Sequence, residues 1–134
     1  MLDFNNDVFT AVATRVREQH TGTTVTGEYT RMPSKFPALT LDETQNVMVE
    51  HLEDSTNIEN FAGVTYKLQA FSNKRTGKKA EARAIFATAD AEMRRMGFRR
   101  VTYTTTPEIY DSTIYEISAT YEAVVSAAGY VYTR

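Results

Sequence analysis

The chain has 134 residues, a hydrophobic fraction of 42%, an aromatic fraction of 11%, a net charge of −2 and no cysteine. That size and composition fit one domain, residues 1–134, with a sizeable core, and exclude the low hydrophobicity of a disordered chain. The missing cysteines remove disulfides, thiolate catalysis and cysteine-ligated metal sites, and the near-balanced charge does not announce a nucleic-acid binder.

The first element predicted is a helix from about Asn5 to Gln19, because Phe4, Val8, Val12 and Val16 recur every four residues with Phe9 and Ala13 beside them. Asp3 and Asp7 lie in this opening stretch, which has no apolar run of signal-peptide length. No segment approaches the roughly 18 apolar residues of a membrane span, so a soluble protein is expected. Gly22 ends the helix. Thr23 to Thr30, rich in Thr, Val and Tyr, predicts a strand interrupted by Gly27.

Pro33 and Pro37 bracket an irregular passage from Met32 to Ala38. A second strand is predicted from Leu39 to about Thr44, then a polar connection through Asp54 to Asn60, with Val47 to Leu52 unassigned. Phe61 to Phe71 is the clearest strand: Ala62, Val64, Tyr66, Leu68 and Ala70 fall on one side, and Thr65, Lys67, Gln69 and Phe71 on the other.

After a turn, a helix from about Lys78 to Met96 carries Ala82, Ile85, Phe86, Ala89, Met93 and Met96 as its core stripe. Gly97 is the left-handed residue that stops it, with Phe98 folding back on Met93 as in a Schellman ending. Arg99 to Thr106 is strand-rich and Pro107 to Asp111 is a turn. Ser112 to Val125 alternates again, with Tyr115, Ile117, Ala119, Tyr121 and Ala123 on one face.

The order α-β-β-β-α-β-β predicts an α+β fold: a largely antiparallel sheet of about five strands with both helices on one face and the other face available. The segment 126–134, with Tyr130 and Tyr132, reads either as an extended arm or as a short edge strand.

Charge is unevenly placed. From Phe36 to Tyr66 there are six acids (Asp42, Glu43, Glu50, Glu53, Asp54, Glu59) and no base, whereas Lys67 to Arg100 holds ten bases against three acids. The blocks either neutralise each other within one fold or meet between neighbouring copies, where complementary charge sets register and partner. A head-to-tail contact of that kind closes into a ring if the rotation allows.

Catalytic and cofactor chemistry has no candidate residues. His20 and His51 lie 31 positions apart, without metal-ligand spacing, and the six glycines form no phosphate loop or dinucleotide fingerprint. Glu50, Glu53 and Asp54 lack the alternation of a calcium loop, and no serine sits in a nucleophile elbow. No cofactor or metal is expected. The alternative function is a non-specific DNA-binding accessory module using Lys74, Arg75, Lys78, Lys79 and Arg83, followed by Arg94, Arg95, Arg99 and Arg100.

On the second helix Ala80, Ala84, Ala87 and Ala91 fall opposite the core stripe. They are either plain helix formers or a smooth subunit contact that Ala84→Arg would block without unfolding the monomer.

Several segments together resemble the tail terminator, tail-completion and head–tail joining proteins of siphophages and their prophages. These are Pro33-Ser34-Lys35-Phe36-Pro37-Ala38-Leu39 with Glu43 and Asn46, and Tyr66-Lys67-Leu68-Gln69-Ala70-Phe71-Ser72-Asn73. Gly77-Lys78-Lys79-Ala80 follows, and then the helix ending Met93-Arg94-Arg95-Met96-Gly97-Phe98-Arg99. The likeness runs from about Val8 to Val125 and departs at Tyr115-Glu116, where the family tends to show Tyr-Arg.

What the resemblance implies is a non-enzymatic virion protein at the head–tail junction, made in the cytoplasm of the bacterial host. It would form a ring of six copies that stops tail-tube growth, and would contact itself, the tail-tube protein and the head–tail connector protein while DNA passes through the channel. The contact residues expected on this basis are Phe36 and Pro37, the acids Glu50, Glu53 and Asp54, the bases Lys78 and Lys79, and the alanine stripe. Phe36 reads equally as a core residue that pins its loop.

Overall fold

A computed structural model describes residues 3–48, 61–107, 113–126 and 131–132. Helix α1 spans Asn5–Gln19 and α2 spans Lys78–Arg95, with strands β1 (Thr24–Thr26), β2 (Ala38–Met48), β3 (Phe61–Ser72), β4 (Arg99–Pro107), β5 (Tyr115–Ser126) and β6 (Val131–Tyr132). The sheet order is β1-β2-β3-β5-β4, with β6 paired to β5. Every pairing is antiparallel except the three-residue β1–β2 contact. This is the α+β fold expected from the sequence.

Both helices cover one face. Val8, Val12, Ala13 and Val16 of α1 and Ala82, Ile85, Phe86, Ala89 and Met93 of α2 share one core cluster with the inward side chains of the strands. That side of β3 is the predicted set, Ala62 to Ala70, and it lies against Val125, Ala123, Tyr121, Ala119 and Ile117 of β5 in register. Burying a Val, Leu or Ile side chain there contributes about 1.5–3 kcal/mol, so the alternation that is visible in the sequence is also the main driving force. Helix α2 ends as predicted: the Phe98 amide donates to the Met93 carbonyl (3.0 Å) and the Gly97 amide to that of Arg94 (3.0 Å), with Gly97 at φ +99°.

Two expectations need correction. The strand predicted over Thr23–Thr30 is only Thr24–Thr26. Beyond Gly27, whose added Cβ would sit 3.7 Å from the Phe9 ring, the chain leaves β2 and crosses to the other side of the sheet. The second strand runs to Met48 instead of Thr44, with a bulge between Glu43 and Gln45. The polar pair Gln45–Asn46 does not continue the strand pattern in the sequence, but ladder pairing with the central strand overrides weak β-propensity. At the C-terminus, Val131–Tyr132 is a short strand beside Val124 and Val125, so this part of 126–134 is a strand and not a free arm.

Candidate functional site

The two lateral edges of the sheet are its most distinctive surfaces. Strand β1 covers β2 only at Ala38–Thr40, and no strand among the described residues pairs with the outer side of Leu41–Gln45. On the opposite side β4 is the last strand, and its residues from Arg99 to Thr105 are all exposed. Open edges of this length present rows of N–H and C=O groups that template pairing with another chain. Six large hydrophobic residues are exposed among the described residues, and four of them lie on these edges: Val47 and Met48 on β2, Val101 and Tyr103 on β4.

Register ties the two edges together. Glu43 of β2 pairs with Tyr66, Tyr66 with Tyr121 of β5, and Tyr121 with Arg100 of β4, so one row of the sheet runs from an acid at one edge to a base at the other. The adjoining rows place Gln45 level with Arg99 and Asp42 level with Thr102. Each edge also has a bulge at this level, at Glu43/Gln45 in β2 and at Arg100/Thr102 in β4.

The two middle members of the row are buried tyrosines. The Tyr66 hydroxyl donates to Glu43 Oε2 (3.0 Å), and its ring meets Phe98 edge-on at 5.3 Å. The Tyr121 hydroxyl donates to Asp90 Oδ1 (2.6 Å), which also accepts from Arg100 Nη1 (2.9 Å). Burial, then the nearby Glu43 charge, pushes the Tyr66 phenol well above its ordinary value. For Tyr121, burial and then the hydrogen bond to Asp90 act in the same direction. The Asp90 hydrogen bond in turn raises the Arg100 guanidinium, which stays charged.

The face away from the helices is only partly covered, with a small apolar cluster around Phe71 at one end and polar side chains along the rest. Lys67 Nζ lies 4.8 Å from the centre of the Tyr29 ring, where the crossing loop reaches it. Gln69, 1% exposed, fastens that loop: its amide nitrogen donates to Thr30 O (3.1 Å) and Glu116 Oε1 (3.0 Å), while its oxygen accepts from the Thr30 amide (3.3 Å) and Thr40 Oγ1 (2.7 Å). Glu116, where the resembling family tends to show arginine, is here a carboxylate partner of Gln69. Gln69→Leu should therefore cost about 2–4 kcal/mol, since it leaves several buried groups unsatisfied. Urea unfolding with hydrogen exchange at Thr30 checks this; unchanged protection at Thr30 would show that the glutamine does not hold the loop.

The predicted contact residues are scattered among these surfaces. Phe36 is half-buried against Ala38, Phe71 and Ile114, so its side chain pins the loop in the manner of a core residue. The Phe36–Pro37 peptide is cis, and the Pro37 carbonyl accepts from the Thr24 amide (3.0 Å), tying the loop to β1. Glu50, Glu53 and Asp54 lie outside the described residues. Lys78 is half-buried and Lys79 exposed in the first turn of α2.

Ala80, Ala84, Ala87 and Ala91 are all exposed. Ala87 also borders a shallow groove of about 300 Å³ with Arg83, Phe86, Asp90, Arg100 and Tyr103, so the stripe adjoins the β4 edge. The bases do not form one patch. Lys74, Arg75, Lys78 and Lys79 sit at the start of α2 and Arg94 and Arg95 at its end, about 25 Å away along an 18-residue helix. At that far end Arg95 pairs with Glu92, Arg100 with Asp90, and Arg99 with Glu122 (3.8 Å).

Sequence reasoning missed Asp90, Glu92 and Gln69, all buried polar residues. One signal was available: an amide in the apolar run Leu68-Gln69-Ala70-Phe71 of a central strand requires polar partners. His20 hydrogen-bonds Thr88 Oγ1 (2.7 Å) between the helices. No cluster of three or more potential metal ligands occurs among the described residues, and no described helix is long and apolar enough to cross a membrane.

Fold and surfaces together define a class: an α+β sheet domain with both helices on one face and two oppositely charged edges that no strand among the described residues covers. No protein-family model matches the chain, and no curated protein matches it significantly.

Proposed function

We propose that this protein is a structural assembly subunit of a long-tailed phage, forming a ring that caps the tail tube or joins it to the head connector. The observation that carries the reading is the pair of sheet edges, one on β2 and one on β4, that no strand among the described residues covers. A subunit with two different sticky edges associates head to tail, and such contacts form rings when the rotation closes. The resemblance along Val8–Val125 supports the tail-end location. The residues invoked make contacts, and no substrate or cofactor enters the mechanism.

The test is light scattering coupled to size exclusion over a range of protein and salt concentrations, with negative-stain images of large species and of mixtures with tail tubes. Rings, or particles seated on tube ends, are expected. A strict monomer that leaves tube ends bare would overturn the reading. Salt-sensitive affinity for free duplex DNA in that same monomer would favour a nucleic-acid-binding accessory module instead.

A further inference from the structure

We infer that neighbouring copies join by antiparallel pairing of β4 of one copy with the open stretch Leu41–Gln45 of β2 in the next, seating Arg100 beside Glu43 and Arg99 near Asp42. The inference rests on the ring reading and names the surfaces that would make the ring.

Three observations converge on it. The first is direction. Strand β2 is antiparallel to β3, β3 to β5 and β5 to β4, so β2 and β4 run oppositely within one subunit. A copy added beside β4 with its helices on the same side therefore offers β2 in the antiparallel sense, the more stable of the two pairings.

The second is level. Glu43 and Arg100 end the same row on the helix side, so two copies at equal height bring them directly opposite, with Cβ atoms about 5 Å apart. Arg99 then lies across from Gln45 on the polar face and diagonal to Asp42, within reach of a long side chain. Pairing β4 with β4, or β2 with β2, offers neither acid a base.

The third is surface chemistry. Within the overlap, Val101 and Tyr103 of β4 are exposed apolar side chains that a neighbouring strand would cover. Strand β1 ends the available stretch of β2, because it already occupies Ala38–Thr40. That stop limits the overlap to four rows, Gln45/Arg99 through Leu41/Tyr103, and so fixes the stagger between copies.

The chain contains no cysteine, so Asp42→Cys with Thr102→Cys gives a clean cross-linking test. Within one copy the two thiols are three inter-strand steps apart, about 14 Å, too far for a disulfide. Between copies at equal height they are neighbours. Oxidation of the double variant should give a ladder of covalent multimers ending at the ring size, whereas either single variant should give dimers at most. Arg99→Glu should weaken association several-fold at low salt, and adding Asp42→Arg should restore it.

If rings form under reducing conditions but oxidation yields no ladder and the charge variants change nothing, the edge pairing is wrong and the ring reading survives. If the wild-type chain forms no ring and leaves tube ends bare, and the double variant gives no ladder, both fail.

Discussion

Replacing Asp90 by alanine is expected to lower the unfolding free energy by about 2–4 kcal/mol, one of the two largest effects proposed for this protein. Asp90 is a buried carboxylate on α2 whose Oδ1 receives both the Tyr121 hydroxyl and the Arg100 guanidinium. Removing it strands a phenol that is fully buried in the central strands, and it releases an arginine whose side chain is 40% exposed. The arginine can turn to water, which is why the loss should stay below that of a fully enclosed ion pair.

Tyr121→Phe should cost less, about 1 kcal/mol, since Asp90 keeps Arg100. Urea midpoints with an unchanged slope measure both, and a double-mutant cycle isolates their coupling. A loss below about 1 kcal/mol for Asp90→Ala would show that the carboxylate does not anchor α2 to the sheet.

Alkaline conditions should produce the second large effect. Tyr66 and Tyr121 are held protonated in the fold, first by burial and then by Glu43 and Asp90 respectively, while in the unfolded chain they ionise near the ordinary value of 10.0. Above that pH the unfolded state binds fewer protons than the native state, so stability falls as pH rises. The contribution of the two phenols is fully present below pH 10 and declines above it by about 1.4 kcal/mol per pH unit for each tyrosine. Denaturant midpoints from about pH 8 to about pH 12, with phenolate absorbance followed alongside, should show unfolding and tyrosine ionisation in one step. In the double Tyr66→Phe, Tyr121→Phe variant the decline should flatten; an equally steep decline would assign it to other groups.

Much of the fold was legible because periodicity and burial coincide. Helix α1, helix α2 and the inward face of β3 carry unbroken apolar patterns, and the Gly97-Phe98 stop is a local signal that needs no tertiary partner. The extension of β2 beyond Thr44 to Met48 was not legible, because Gln45 and Asn46 become strand residues only when β3 supplies the ladder. The shortness of β1 was hidden for a related reason: Thr30 leaves the sheet to meet a glutamine 39 positions later.

The candidate site was less visible still. An edge is a property of topology, so the unpaired sides of β2 and β4 cannot be read before the strand order is known. The alanine stripe and the uneven charge are sequence patterns, and they were seen. What joins Glu43 to Arg100 is a register that spans four strands, and no local pattern encodes it.

The middle of the sheet is its least local part. Strands β2 and β3 are consecutive in the chain, as are β4 and β5, but the β3–β5 seam joins residues from 43 positions apart, at Ser72 and Tyr115, to 65 apart, at Phe61 and Ser126. Each outer pair can form as a short-range hairpin, whereas the seam must close a loop containing α2 and β4 before any contact rewards it. Folding should accordingly run at the slower pace of proteins dominated by distant contacts, with the two halves meeting last along β3 and β5. Until they meet, each half exposes the sheet-pairing side of a long apolar strand, so a nascent chain has a strong reason to complete that seam before it encounters another copy of itself.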